Sequence, residues 1–158
     1  MIYNKTYIGV LAFSPVVIGY VLNLSIMLPL FSLLQFVIPF ILLAYWFWVG
    51  GKFAEVVKNS FAAVLAGNFF GIVSFLIYYW QFIFLTGENR SLWLAVISQM
   101  FNAPLSFITV RAGSIFESAP NTFSQTSVTA SQAVGLLLMV LTFSTGYFHT
   151  KNKRKVTR

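Results

Sequence analysis

Residues 7–51, YIGVLAFSPVVIGYVLNLSIMLPLFSLLQFVIPFILLAYWFWVGG, contain no side chain that is charged at neutral pH. The run is too long for one buried helix and long enough to cross a bilayer twice, because one crossing takes about 20 apolar residues. Residues 60–86 and 130–149 are equally free of charge, and a less apolar run lies at 92–110. The expectation is an all-α integral membrane protein, a bundle of five hydrophobic helices whose fourth member is the least apolar. Composition agrees: 58% of residues are hydrophobic and only 8% charged, against roughly 25% charged in soluble domains. So few charges could not cover a water-exposed surface.

The expected helices span about 7–27, 30–49, 60–84, 92–110 and 130–148. They form one polytopic membrane domain over 1–150, followed by a basic tail at 151–158. Pro15 falls in the first turns of the first helix. Pro39 should kink the second or mark a local irregularity, since its ring removes a backbone hydrogen bond, and Gly50-Gly51 should end it. The clusters Tyr45-Trp46-Phe47-Trp48 and Tyr78-Tyr79-Trp80 fall near expected helix ends, where an apolar ring with a polar tip suits the membrane interface. Lys5 ahead of an apolar stretch resembles a signal peptide. The stretch runs on past Asn23 and Ser25 without a small-x-small cleavage pattern, which argues for a retained helix.

Charge and length disagree on topology. The basic tail should be cytoplasmic. With five crossings, Lys5, Lys52, Lys58 and Arg111 then face outward, a poor charge bias. If the fourth segment is re-entrant or interfacial, both termini lie inside with Lys5, Lys52 and Lys58, and only Arg90 and Arg111 remain outside. Length favours five crossings, and that is the reading adopted from sequence. The polar residues Gln99, Asn102, Ser106 and Thr109 recur at spacings of three and four, which gives the fourth segment one polar face.

Three groups of residues are candidates for a role. Ala63, Gly67 and Gly71 form a small-residue stripe that lets another helix approach closely, and neighbouring Asn68 can hydrogen-bond across helices. Gln99, Asn102, Ser106 and Thr109, faced by Gln132 and the stripe Ser124, Ser127, Ser131 and Gly135, suit the lining of a site for a neutral polar solute. Lys151, Lys153, Arg154, Lys155 and Arg158 suit contact with anionic lipid headgroups. Arg111 and Glu117 flank a Ser/Thr-rich stretch broken by Pro120 and are expected as exposed charges that can pair. Three Asn-x-Ser/Thr triplets carry no weight.

Absences narrow the chemistry. The chain has no cysteine and no aspartate; its acids are Glu55, Glu88 and Glu117, and its one histidine is His149. An aspartyl dyad is impossible, a zinc protease lacks its second histidine, and carboxylates clustered for magnesium are missing. No Gly-x-Ser-x-Gly turn or phosphate-binding glycine loop occurs. No catalytic activity, cofactor, metal or nucleic-acid partner is expected. The reading adopted is a noncatalytic accessory or regulatory subunit, contacting the lipid bilayer and either another membrane protein or itself. The alternative is a substrate-binding or transport-associated protein for a small neutral polar solute.

Overall fold

The computed structural model describes residues 5–25, 31–117 and 124–156. The expected helix ends at Met27 and Leu30, Pro120 and Arg158 lie outside them. Among the described residues the chain is all-helical: α1 (Lys5–Ser25), α2 (Phe31–Val56), α3 (Ser60–Gly67), α4 (Phe69–Tyr79), α5 (Leu92–Met100), α6 (Ser106–Gly113) and α7 (Gln125–Val156). The first, second and seventh are each long and apolar enough to cross a membrane, and the bent pairs α3–α4 and α5–α6 each meet that test as a pair.

Several expected boundaries are corrected. Gly50-Gly51 does not end the second helix, which continues to Val56. The two glycines serve contact instead. A methyl on Gly50 would collide with the Phe143 carbonyl, and one on Gly146 with the Phe47 carbonyl, so bare Cα atoms let α2 and α7 backbones touch. The helices are parallel: Gln35 lies beside Ser131, Trp46 beside Phe143, Gly51 beside Thr150 and Glu55 beside Arg154, so the contacts rise together along both. Pro39 does not interrupt α2, which runs helical through it. Pro15 is likewise inside α1; it cannot donate to the Leu11 carbonyl, and Ser14 Oγ donates there at 2.6 Å instead. The basic tail is no separate segment as far as Val156, because α7 carries it as its last turns.

The third expected helix is broken at Asn68, with α3 and α4 inclined by 54°. Asn59 starts α3 by accepting from the backbone N–H of Phe61 and Ala62, the usual capping arrangement. The pair runs antiparallel to α7: Lys151 reaches Ser60, Phe143 covers Gly67, and Tyr78 lies beside Thr129. A π turn, Trp80–Phe84, closes α4. There the buried Gln81 accepts from Ser91 N at 2.9 Å, and Arg90 donates to the carbonyls of Leu85 and Phe82, satisfying groups that a helix end leaves open.

The fourth expected helix is also two, α5 and α6, set at 58°. Pro104 sits in the 3-10 turn between them and cannot donate to Met100 O, which instead lies against the bare Cα of Gly19. α5 runs back along α4: Ser91 lies by Gln81, Ser74 Oγ donates to Ser98 O at 2.7 Å, and Phe101 covers Gly71. Asn102 then meets Gln132 and Gly135 of α7, whereas Gly113 meets Ser127 and Ser131. α6 therefore turns back toward the start of α7.

This geometry separates the charges. The starts of α1 and α3 and the ends of α2 and α7 share one end of the bundle. Among the described residues it holds Lys5, Lys52, Lys58, Lys151, Lys153, Arg154 and Lys155 against the acid Glu55. The opposite half holds Glu88, Arg90, Arg111 and Glu117, which balance. The core lies toward the basic end, where Trp46, Phe53, Phe143 and Tyr147 are fully or almost fully buried. The Phe143 ring lies 5.0 Å from Phe53 and 5.7 Å from Trp46, separations at which ring edges and faces attract.

Candidate functional site

A cavity of about 290 Å³ opens in the half opposite the basic end. The end of α1, the start of α2, the α5–α6 break and the first turns of α7 enclose it. All five polar residues singled out in the sequence line it: Gln99, Asn102, Ser106, Thr109 and Gln132. Ser127 and Ser131 join them from α7, as the sequence pattern suggested. Gln35 of α2 and Asn23 of α1 were missed. Their signal was an isolated amide inside an otherwise apolar run, unusual where unpaired polar groups are costly.

The broken helix positions this lining. Asn102, 94% buried by its 6% exposure, donates through Nδ2 to both the backbone carbonyl and the Oε1 of Gln132, each at 2.8 Å. Its Oδ1 lies against Gly135 and has no hydrogen-bond partner among the described residues. Gln99 Nε2 turns back to Ala95 O, Thr109 Oγ1 to Ser106 O and Ser131 Oγ to Ser127 O.

Other groups are uncommitted. The Gln35 carboxamide, the Ser106 hydroxyl, Gln99 Oε1 and Gln132 Nε2 take no hydrogen bond from the described residues. Pro39 has no N–H to give the Gln35 carbonyl, which also lacks its usual helix donor. The wall thus offers both donors and acceptors, and no ionisable side chain among the described residues lines it. At liquid density the space holds about ten waters. It sits at the small end of the roughly 300–1,000 Å³ range of ligand pockets.

The small-residue stripe is used inside the bundle. Ala63 is fully buried; Phe143 occupies the space above Gly67 and Phe101 that above Gly71. The nearest atoms over both glycines are ring atoms, not backbone. Asn68 bridges helices as its position suggested: Oδ1 accepts from Trp46 Nε1 at 3.3 Å, and Nδ2 donates to Val64 O at 2.9 Å.

The terminal basic residues divide. Lys151 Nζ donates to Lys58 O at 3.3 Å and Ser60 Oγ at 2.7 Å, and Arg154 lies 3.4 Å from Glu55. Lys153 and Lys155 are exposed. Arg111 does not pair with Glu117; its guanidinium stacks 4.6 Å over the Phe107 ring. No protein-family model, curated protein or solved structure matches this chain.

Proposed function

We propose that this is a noncatalytic polytopic membrane protein that holds a small, uncharged polar solute in the cavity between α1, α2, the α5–α6 break and α7. The observation that carries the reading is the set of unpaired amides and hydroxyls lining a space without ionisable groups. In a hydrocarbon surround each such group, left unpaired, costs several kcal/mol, so water or a polar solute must satisfy them. A charged solute would find no counter-charge. Discontinuous helices are the usual builders of solute sites within membranes, because broken backbone is tolerated where it lines a cavity.

The partner-binding reading rested on the small-residue stripe at Ala63, Gly67 and Gly71. Internal rings fill that stripe, which leaves the solute reading better supported. In the bilayer, α1, α2, α3–α4 and α7 cross, and α5–α6 enters and leaves on one side. Seven basic residues against one acid, among the described residues, then face the cytoplasm, in accord with the positive-inside bias, and the cavity opens toward the far leaflet.

The test uses Ser106→Leu and Gln35→Leu, because neither side chain holds the fold by a hydrogen bond. Purified in detergent, the wild-type protein should show a thermal shift with a member of a panel of polyols, amides and uncharged sugars. Both variants should stay folded and lose that shift. A panel with no hit, or a hit that both variants retain, refutes the reading.

A further inference from the structure

On the other side of the bundle a groove of about 850 Å³ runs between α1 and α3–α4, floored by the buried Phe53. Small residues on both walls leave it room: Gly9 and Ala12 face it from α1 and Ala62 and Ala66 from α3, beside the larger Ile8, Leu65, Phe69 and Phe70. A methyl added to Gly9 would meet nothing within 4 Å. Near its far end Phe13 and Phe70 stack edge to face at 5.0 Å. The lining is apolar except at the basic end, where Lys58 and Asn59 form the rim. Asn59 is engaged in capping α3. The exposed Lys58 ammonium has no partner among the described residues. Its backbone is held in place, with Tyr147 Oη and Lys151 Nζ both donating to its carbonyl at 3.3 Å.

We infer that this groove binds one anionic phospholipid, its acyl chain between α1 and α3 and its phosphate at Lys58. The occupant follows from charge complementarity. An apolar channel ending at one cation unpaired among the described residues, within an end whose described residues include seven basic ones and one acid, matches a molecule with a long apolar chain and an anionic head. Glu55 does not oppose the phosphate, because Lys52 and Arg154 already contact it. A zwitterionic lipid would fill the channel equally and gain less at its rim. The inference rests on the membrane part of the reading above and is independent of the solute cavity.

The whole protein, purified in a nonionic detergent, should be titrated with phosphatidylglycerol and with phosphatidylcholine of the same acyl chains, and retained lipid counted by native mass spectrometry. Wild type should retain phosphatidylglycerol preferentially. Lys58→Gln should weaken that retention by about fivefold, the effect of one basic residue near a surface, and leave phosphatidylcholine unchanged. Ala62→Leu with Ala66→Leu, at two exposed positions, should fill the groove and release both lipids.

Equal retention of the two lipids by wild type overturns the proposal, as does undiminished phosphatidylglycerol in either variant. A detergent-resistant dimer that the double Leu variant abolishes assigns the groove to a second copy of the chain instead. None of these outcomes touches the solute cavity, which the Ser106 and Gln35 variants report. Failure of the membrane reading itself would show separately, as protein that stays monodisperse without detergent.

Discussion

Trp46 Nε1 of α2 donates to Asn68 Oδ1 at the point where the third apolar segment breaks into α3 and α4. Both residues are fully buried, so neither group can turn to solvent if the other is removed. Asn68→Leu leaves a buried indole N–H unpaired and should cost about 1–3 kcal/mol. Trp46→Phe loses the same bond together with ring contacts to Phe101 and Phe143. The two changes combined should cost less than their sum, by the amount of the shared bond. Unfolding in mixed detergent micelles checks this; strict additivity would show that the bond contributes nothing.

The parallel contact of α2 and α7 depends on two glycines lying against carbonyls. Gly146→Leu drives a side chain into the Phe47 carbonyl, and backbone cannot yield as a side-chain tip can. Overpacking of this kind costs about 1–3 kcal/mol or more. Gly87→Ala is the control, exposed and with nothing within 4 Å of the added methyl, and should stay within about 0.5 kcal/mol of wild type. Thermal unfolding of both variants in one detergent decides it. A Gly146→Leu protein as stable as the control would contradict the contact.

Much of the fold was legible because apolar runs and helix periodicity leave plain marks. The polar face at Gln99, Asn102, Ser106 and Thr109 follows from spacing alone; that Gln132 meets it does not, and only the packed helices place the two together. Breaks and ends were less readable, for a physical reason. Gly50-Gly51 has the composition of a helix stop and also that of a close helix contact; only the position of Phe143 and Gly146, far along the chain, tells them apart. Likewise Pro39 stays within a continuous helix while Pro104 sits at a break. Pro104 was an available signal, and its pairing with Asn102 could have marked the turn. Gln35 escaped notice because one amide in an apolar helix has no periodic partner.

Tyr147 ties α7 to the end of α2. Its hydroxyl donates to Val57 O at 2.8 Å and lies 3.3 Å from Lys58 O, carbonyls that follow the last turn of α2. Tyr147→Phe keeps the buried ring and removes this cap, and should lower stability by about 1 kcal/mol. Lys151→Gln removes the other donor to the same Lys58 carbonyl, so each single change leaves that carbonyl one donor and the double change should cost more than the sum. The measurement is the shift in melting temperature of each single variant and of the pair. A Tyr147→Phe protein that melts with wild type would mean the cap is dispensable.

The return of α6 toward the start of α7 fixes an outcome for topology. In the proposed bilayer arrangement four apolar segments cross, so both termini face the cytoplasm. The turn containing Glu88 and Arg90 then faces the other side, and so does Ser114 beyond α6. Five crossings would instead place Met1 and Arg158 on opposite sides. Charge supports the first arrangement, because Lys5, Lys52 and Lys58 join the basic end of α7 on one face. Reporter fusions at Met1 and at Arg158 should both be active only in the cytoplasm. Single cysteines at Glu88 and Ser114, in a chain without native cysteine, should both react with an impermeant maleimide added outside. If Ser114 labels only after the membrane is opened while Glu88 labels from outside, α5–α6 crosses, and the cavity would no longer be bounded by a re-entrant pair.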